Sequence, residues 1–126
     1  MSLQLRDKVI FLTGACGVSG LSHIQTFLDR GARVIASDRS DELVSYLSSF
    51  FSSHQWFSNL HLYTLDVTSE VQIESVFSDI VPLAPNVFIN NAAVTGEMLA
   101  KSGKYSSELS KMSYDSWNTA LEVNLT

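Results

Sequence analysis

The feature that most constrains this chain is Thr13-Gly14-Ala15-Cys16-Gly17-Val18-Ser19-Gly20, which lies where two kinds of hydrophobic spacing meet. Before it, Lys8-Val9-Ile10-Phe11-Leu12-Thr13 is a short, nearly continuous apolar run, the pattern of a strand buried on both faces. From Leu21 the spacing becomes helical: Leu21, Ile24 and Leu28 share one face with Phe27 alongside, and Gly31 follows as a C-terminal cap. A strand that passes through glycines into a helix presents free backbone N–H groups at the helix N-terminus. Those groups suit a diphosphate, and side chains at positions 14, 17 and 20 would obstruct the turn, the ligand or the helix-to-strand packing. A plain connection between strand and helix is the other reading of the same glycines.

The alternation then repeats. Arg33-Val34-Ile35-Ala36-Ser37 reads as a second strand, and Ser40 with Asp41 and Glu42 starts a helix built on Leu43, Tyr46, Leu47 and Phe50. Leu60 to Leu65 makes a third strand, after which Thr68 is the expected cap of a helix carrying Ile73, Val76, Phe77 and Ile80, ended by Pro82 and Pro85. Asn86-Val87-Phe88-Ile89-Asn90 is expected as a fourth buried strand. A long stretch with little periodicity follows, then Ser113 as the cap of a helix with Trp117, Ala120, Leu121 and Asn124 on one face. Strands alternating with helices imply right-handed crossovers, so the expected fold is α/β: a Rossmann-like open parallel sheet with helices on both faces, truncated after about four βα units.

Composition narrows the function classes. A chain of 126 residues allows one domain, here expected to span residues 1–126. Its net charge of −5 has the wrong sign for gripping a phosphate backbone, so no nucleic acid partner is expected. The single cysteine, Cys16, excludes an internal disulfide and points to a reducing compartment, with the cytoplasm as the expected location. Residues Met1 to Asp7 lack the pattern of a signal peptide and no run approaches the roughly 18 apolar residues of a membrane span, so neither secretion nor membrane insertion is expected. His23, His54 and His61 show no metal-ligand spacing, and no metal site is expected.

Asp38 ends the second apolar run, near the roughly 20 residues past the first glycine at which a ribose-binding acid stands. A carboxylate there accepts hydrogen bonds from both ribose hydroxyls and repels a 2′-phosphate, which favours NAD over NADP, although the adjacent Arg39 offsets part of that repulsion. A solvated turn aspartate is the alternative.

With these residues in view, the chain resembles the short-chain dehydrogenase/reductase family, and three further segments match that family's pattern in order. Asp66 in Leu65-Asp66-Val67 looks like the family's adenine-contacting acid. Asn90-Asn91-Ala92-Ala93 is similar to its Asn-Asn-Ala-Gly motif, which stabilises the central sheet and lines the cofactor cleft. Asn124 corresponds to the helix asparagine that helps organise a proton relay. The resemblance therefore implies a dinucleotide site formed by Gly14, Cys16, Gly17, Val18, Gly20, Asp38, Arg39, Asp66, Val67, Asn91, Ala92 and Ala93, with Asn124 as a catalytic residue. It further implies a small alcohol or carbonyl substrate and, for a complete chain, a homo-oligomer.

Two departures from the family pattern stand out. Its commonest glycine motif is Thr-Gly-x-x-x-Gly-x-Gly, whereas here a glycine comes one place early at Gly17 and Val18 takes the usual glycine position, the spacing of the family's extended branch. More consequential is an absence. The family's hydride transfer uses a Ser and a Tyr-x-x-x-Lys pair, the lysine lowering the tyrosine pKa. Four positions after Tyr46, Tyr63, Tyr105 and Tyr114 stand Phe50, Val67, Leu109 and Asn118, none of them lysine. The expectation is the cofactor-binding half of an NAD-dependent oxidoreductase with the catalytic half missing, inactive alone. The alternatives are a non-catalytic nucleotide-binding module and a relative of the sugar-nucleotide epimerases or dehydratases.

Other features carry two readings each. Cys16 is either a packed loop residue or a redox-sensitive thiol whose pKa a helix N-terminus lowers. Phe50-Phe51 and Trp56-Phe57 are expected to pack over the sheet rather than stack nucleotides, and the glycosylation triplet Asn124-Leu125-Thr126 is expected to be accidental. If β-α units end at Val87-Phe88-Ile89, that strand has an unpaired edge and a partly uncovered apolar face.

Overall fold

The computed structural model describes residues 4–92. Four strands and three helices alternate along them: β1 (Val9–Leu12), α1 (Val18–Asp29), β2 (Arg33–Asp38), α2 (Asp41–Phe51), β3 (Leu60–Thr64), α3 (Glu70–Ile80) and β4 (Val87–Ile89). All strand pairs are parallel and the sheet order is β3-β2-β1-β4. The chain thus winds outward from β1 through β2 to β3, then crosses to the other side of β1 to lay down β4. Beyond the carboxyl ends of β1 and β4 the winding direction reverses, and such a switch point leaves a crevice where ligands bind.

Because successive strand residues point to opposite faces, each strand feeds two cores. On one face Ile10, Leu12, Val34, Ala36 and Leu60 meet Ile24 and Leu28 of α1 and Leu47 and Phe51 of α2. On the other, Phe11 and Ile35 meet Val76 and Ile80 of α3 together with Leu65. This is the double-sided covering that the apolar runs of β1 and β2 require. Trp56 and Phe57 pack against the first core, as expected of the aromatic connector.

Several boundaries differ from those read in the sequence, each for a local reason. Helix α1 begins at Val18 rather than Leu21, because Val18, Ser19 and Gly20 add no further member to the apolar face that Leu21, Ile24 and Leu28 mark. Its end is as expected: Gly31 adopts φ 87°, and the Ala32 N–H donates to the Phe27 carbonyl. In α2 Ser40 does accept the Leu43 N–H, but the buried residues are Leu47 and Phe51, while Tyr46 and Phe50 are about half exposed. The aromatic pair Phe50-Phe51 offers two helix phases, and packing chose the second.

Helix α3 is capped by Ser69, whose hydroxyl accepts the Gln72 N–H, and not by Thr68. Thr68 instead serves Asp66, as described below. Strand β4 is not buried: Phe88 is 59% exposed, in contact with Phe11 and Phe77 at ring separations of 5.9 and 6.4 Å. Among the described strands β4 pairs with β1 alone, so its apolar run reflects a sheet position and not full burial. Ala93 and Asn124, the stretch from 96 to 111 and the helix expected after Ser113 lie outside the described residues.

Candidate functional site

The octet joins β1 to α1 at the carboxyl edge of the sheet, and its three glycines have different physical reasons. Gly14 adopts φ 63°, a left-handed conformation that a side chain would strain. Gly20 lies in the first turn of α1 so close to the strand exit that a Cβ would come 2.5 Å from the Ala15 carbonyl oxygen. Gly17 is the exception. Its φ is −73°, and among the described residues a Cβ there would meet only the Gly14 carbonyl oxygen at 3.7 Å, an ordinary contact. The packing of the described residues does not call for glycine at 17.

Outside Gly17 the turn is open. Gly17, Val18 and Ser19 are exposed, Val18 by 91%. Among the described residues no side chain caps α1, and its first turn holds no acidic residue, so the N-terminal backbone donors and the positive end of the helix dipole lie at this exposed turn. This arrangement fits an anionic group resting against the main chain, as the diphosphate of a dinucleotide would.

The turn is held from both neighbouring strands. On the β4 side the Thr13 N–H donates to the Ile89 carbonyl at 3.2 Å, and the Thr13 hydroxyl donates to Asn90 Oδ1 while accepting the Asn91 N–H at 3.1 Å. The Asn91 amide then donates to the Gly14 carbonyl at 3.1 Å. On the β2 side the Ser37 carbonyl accepts the Ala15 N–H at 3.0 Å, and the fully buried Ser37 hydroxyl donates to the Leu12 carbonyl. Every anchor comes from the last residues of a strand or just beyond.

Asp38 completes the β2 side. Its carboxylate is 8% exposed overall, with Oδ2 accepting the Cys16 N–H and Oδ1 the Arg39 N–H, both at 2.8 Å. The exposed Arg39 guanidinium lies 3.9 Å from Oδ1. The reading of Asp38 as a solvated turn residue is therefore wrong: the strand end draws it in against the glycine turn. The lowered thiol pKa is likewise not found. Burial, then the Asp38 charge, push the Cys16 thiol up, with Arg39 opposing.

Residues 8–126 match the family model described as short chain dehydrogenase. The chain belongs to the short-chain dehydrogenase family. It is 30% identical to the short chain dehydrogenase/reductase dpchG of Colletotrichum higginsianum, over 99% of this chain and 44% of that protein. It is 28% identical to the 3-oxoacyl-[acyl-carrier-protein] reductase FabG of Salmonella typhimurium and 30% to that of Thermotoga maritima, each match covering 98% of this chain and 46% of the relative. A short-chain dehydrogenase structure from Novosphingobium aromaticivorans superimposes with a TM-score of 0.76 at 21% identity, over 94% of this chain and 40% of that one, a likeness in fold. The chain thus spans less than half the length of these relatives.

This family of oxidoreductases uses nicotinamide dinucleotides, and among the described residues Asp66, Val67, Asn91 and Ala92 follow the carboxyl ends of β3 and β4. Asp66 follows β3, and its Oδ1 accepts both the N–H and the hydroxyl of Thr68, at 2.9 and 2.7 Å. Its own N–H donates to Gln72 Oε1 at 2.8 Å. Asp66 therefore shapes the turn into α3, and Val67 packs at the edge of the α3-side core. Asn91 and Ala92 follow β4, half-buried. Gly14, Cys16, Gly17, Val18, Gly20, Asp38 and Arg39 fall together on the β1-to-β2 side of the switch point. Among the described residues no group of His, Cys, Asp and Glu could hold a metal ion, and no helix is long and apolar enough to cross a membrane.

Sequence reasoning passed over two residues that hold this turn. Ser37 read as a strand residue and Thr13 as part of a glycine motif, yet their hydroxyls tie the turn to the sheet. A hydroxyl at the end of an otherwise apolar strand was the available signal, because a buried hydroxyl must find a partner.

Proposed function

We propose that this chain is the NAD-binding portion of an oxidoreductase that, as a whole protein, interconverts an alcohol and a carbonyl compound. The observation that carries this reading is the open glycine at position 17, beside a buried carboxylate at the end of β2. Gly17 has room for a side chain and none is present, which an approaching diphosphate explains and the packing of the described residues does not. NAD is the expected cofactor and NADP the weaker one, because the Asp38 charge opposes a 2′-phosphate and each carboxylate oxygen has a further lone pair for a ribose hydroxyl.

In this reading the α1 N-terminus at Gly17, Val18 and Ser19 carries the diphosphate, with Gly14 and Gly20 shaping the turn. Cys16, Asp38 and Arg39 surround the adenosine ribose, and Asp66 and Val67 stand on the adenine side. Asn91, Ala92 and Ala93 line the cleft, and Asn124 serves the proton relay. When bound, the nicotinamide accepts or delivers the hydride; the chain's part is to hold and orient the dinucleotide. The proton-exchanging Tyr-x-x-x-Lys pair is not in these 126 residues. A cytoplasmic location accords with the one free cysteine.

The test is a titration of the full chain with NADH and NADPH, read by nicotinamide fluorescence. NADH should bind more tightly than NADPH, and Gly17→Val should abolish binding while leaving the melting temperature nearly unchanged. Binding that survives the valine, or NADPH binding as tightly as NADH, overturns the respective part of the proposal.

A further inference from the structure

Asp38 does something in this structure that recognition of ribose does not require. Its carboxylate reaches back over the β1-to-α1 turn to accept the Cys16 N–H at 2.8 Å, with its other oxygen on the Arg39 N–H at the same distance. Cys16 stands between Gly14, in the left-handed conformation, and Gly17, the N-cap of α1. The adjacent Ala15 N–H is taken by the Ser37 carbonyl, and the Leu12 carbonyl by the Ser37 hydroxyl. The last two residues of β2 thus engage the strand exit at three places, Leu12, Ala15 and Cys16. Only at Cys16 is the engagement made by a charged side chain.

We propose that Asp38 is a positioning residue for the glycine turn: its bond to the Cys16 N–H holds the turn in the shape that receives a diphosphate, before any nucleotide arrives. The inference deepens the proposed function, on which its binding arm rests. It differs from a purely ribose-reading role in the sign of one effect. A carboxylate beside an anion site repels the anion, so removing a carboxylate that does nothing else strengthens diphosphate binding. Removing one that shapes the site weakens it. Asparagine separates charge from geometry: its carbonyl oxygen can still accept the Cys16 N–H, while its NH2 group cannot accept the Arg39 N–H.

The experiment uses the full chain, isotope-labelled, with inorganic diphosphate as the probe because it has no ribose. Amide exchange at Cys16 and diphosphate affinity are measured for the wild type, Asp38→Ala and Asp38→Asn. Loss of a hydrogen bond to a charged acceptor predicts exchange at Cys16 about tenfold faster in Asp38→Ala, with diphosphate binding weakened about tenfold. In Asp38→Asn exchange should stay near the wild-type rate and diphosphate should bind at least as well as to the wild type. Unchanged exchange at Cys16 in Asp38→Ala, or equal or tighter diphosphate binding by that variant, overturns the proposal. A wild type that binds neither diphosphate nor NADH removes the functional reading instead, and the Cys16 exchange rate still decides whether Asp38 holds the turn.

Discussion

The side-chain amide of Asn91 donates to the carbonyl of Gly14 at 3.1 Å, joining residues 77 positions apart in the chain. That bond belongs to a cluster centred on Thr13, which is 7% exposed and both accepts the Asn91 N–H and donates to Asn90 Oδ1. Thr13→Val keeps the shape and removes the hydroxyl, leaving the half-buried Asn91 N–H without its acceptor. The expected cost is about 1–3 kcal/mol in urea denaturation. A loss below about 0.5 kcal/mol would show that the hydroxyl does not hold β4 to the turn.

The glycines of the turn should separate by substitution. Gly20→Ala places a Cβ 2.5 Å from the Ala15 backbone oxygen, which no side-chain rotation relieves. It should lower the melting temperature steeply or prevent folding. Gly17→Ala, with 3.7 Å available, should change stability by no more than about 1 kcal/mol. Equal thermal shifts in the two variants would refute the packing role of Gly20.

Helix α2 provides a test of which face is buried. Leu47 is fully buried in the α1–α2 core, whereas Phe50 is half exposed. Leu47→Ala should cost about 2–5 kcal/mol, and Phe50→Ala, despite the larger deletion, clearly less. The comparison needs only equilibrium unfolding of the two variants. The opposite ranking would mean that the helix is turned the other way.

Stability should also fall in mild acid because of His61 on β3. Burial, then the charge of Arg33, lower its pKa from 6.5, and its Nε2 has no hydrogen-bond partner among the described residues. The unfolded chain therefore takes up the proton first as pH drops. The contribution of this group is complete above pH 6.5 and is lost as pH falls from there through the lower folded value. His61→Leu should flatten that part of a stability-against-pH curve; an unchanged slope would assign it to another group.

Asp29 acts in a separate, more acid window. Hydrogen bonds from Gln25 and then His54 hold its pKa below 3.8, so its stabilising contribution is present above that value and disappears as pH falls through the folded one. Asp29→Asn should remove this acid-side component and leave the His61 component intact, as followed by circular dichroism across a pH series.

How much of this was legible in the chain follows from what each signal depends on. The strands β1 to β3, the glycine turn and the cap at Ser40 are written in local spacing, because alternation of faces and capping chemistry involve residues within a few positions of one another. The parallel direction of the strands was implied by β-α alternation, whereas their order, with β4 on the far side of β1, came only with the fold. Other features needed partners far away in sequence. In α2 Leu47 faced inward as its spacing implied, but Phe51 rather than Phe50 joined it because of how α2 lies on β2 and β3; the Ser69 cap of α3 was by contrast a local choice, made because Asp66 claims Thr68.

The sequence by itself determined that the chain alternates strand and helix, that a glycine turn opens the first helix, and that an acid ends the second strand. Only the tertiary structure decided that this acid is buried against the Cys16 amide, and that a side chain at Gly17 finds room among the described residues where one at Gly20 does not. The reason is physical. Secondary structure answers to neighbours along the chain, whereas the environment of a carboxylate and the room beside a glycine depend on atoms that only folding brings near.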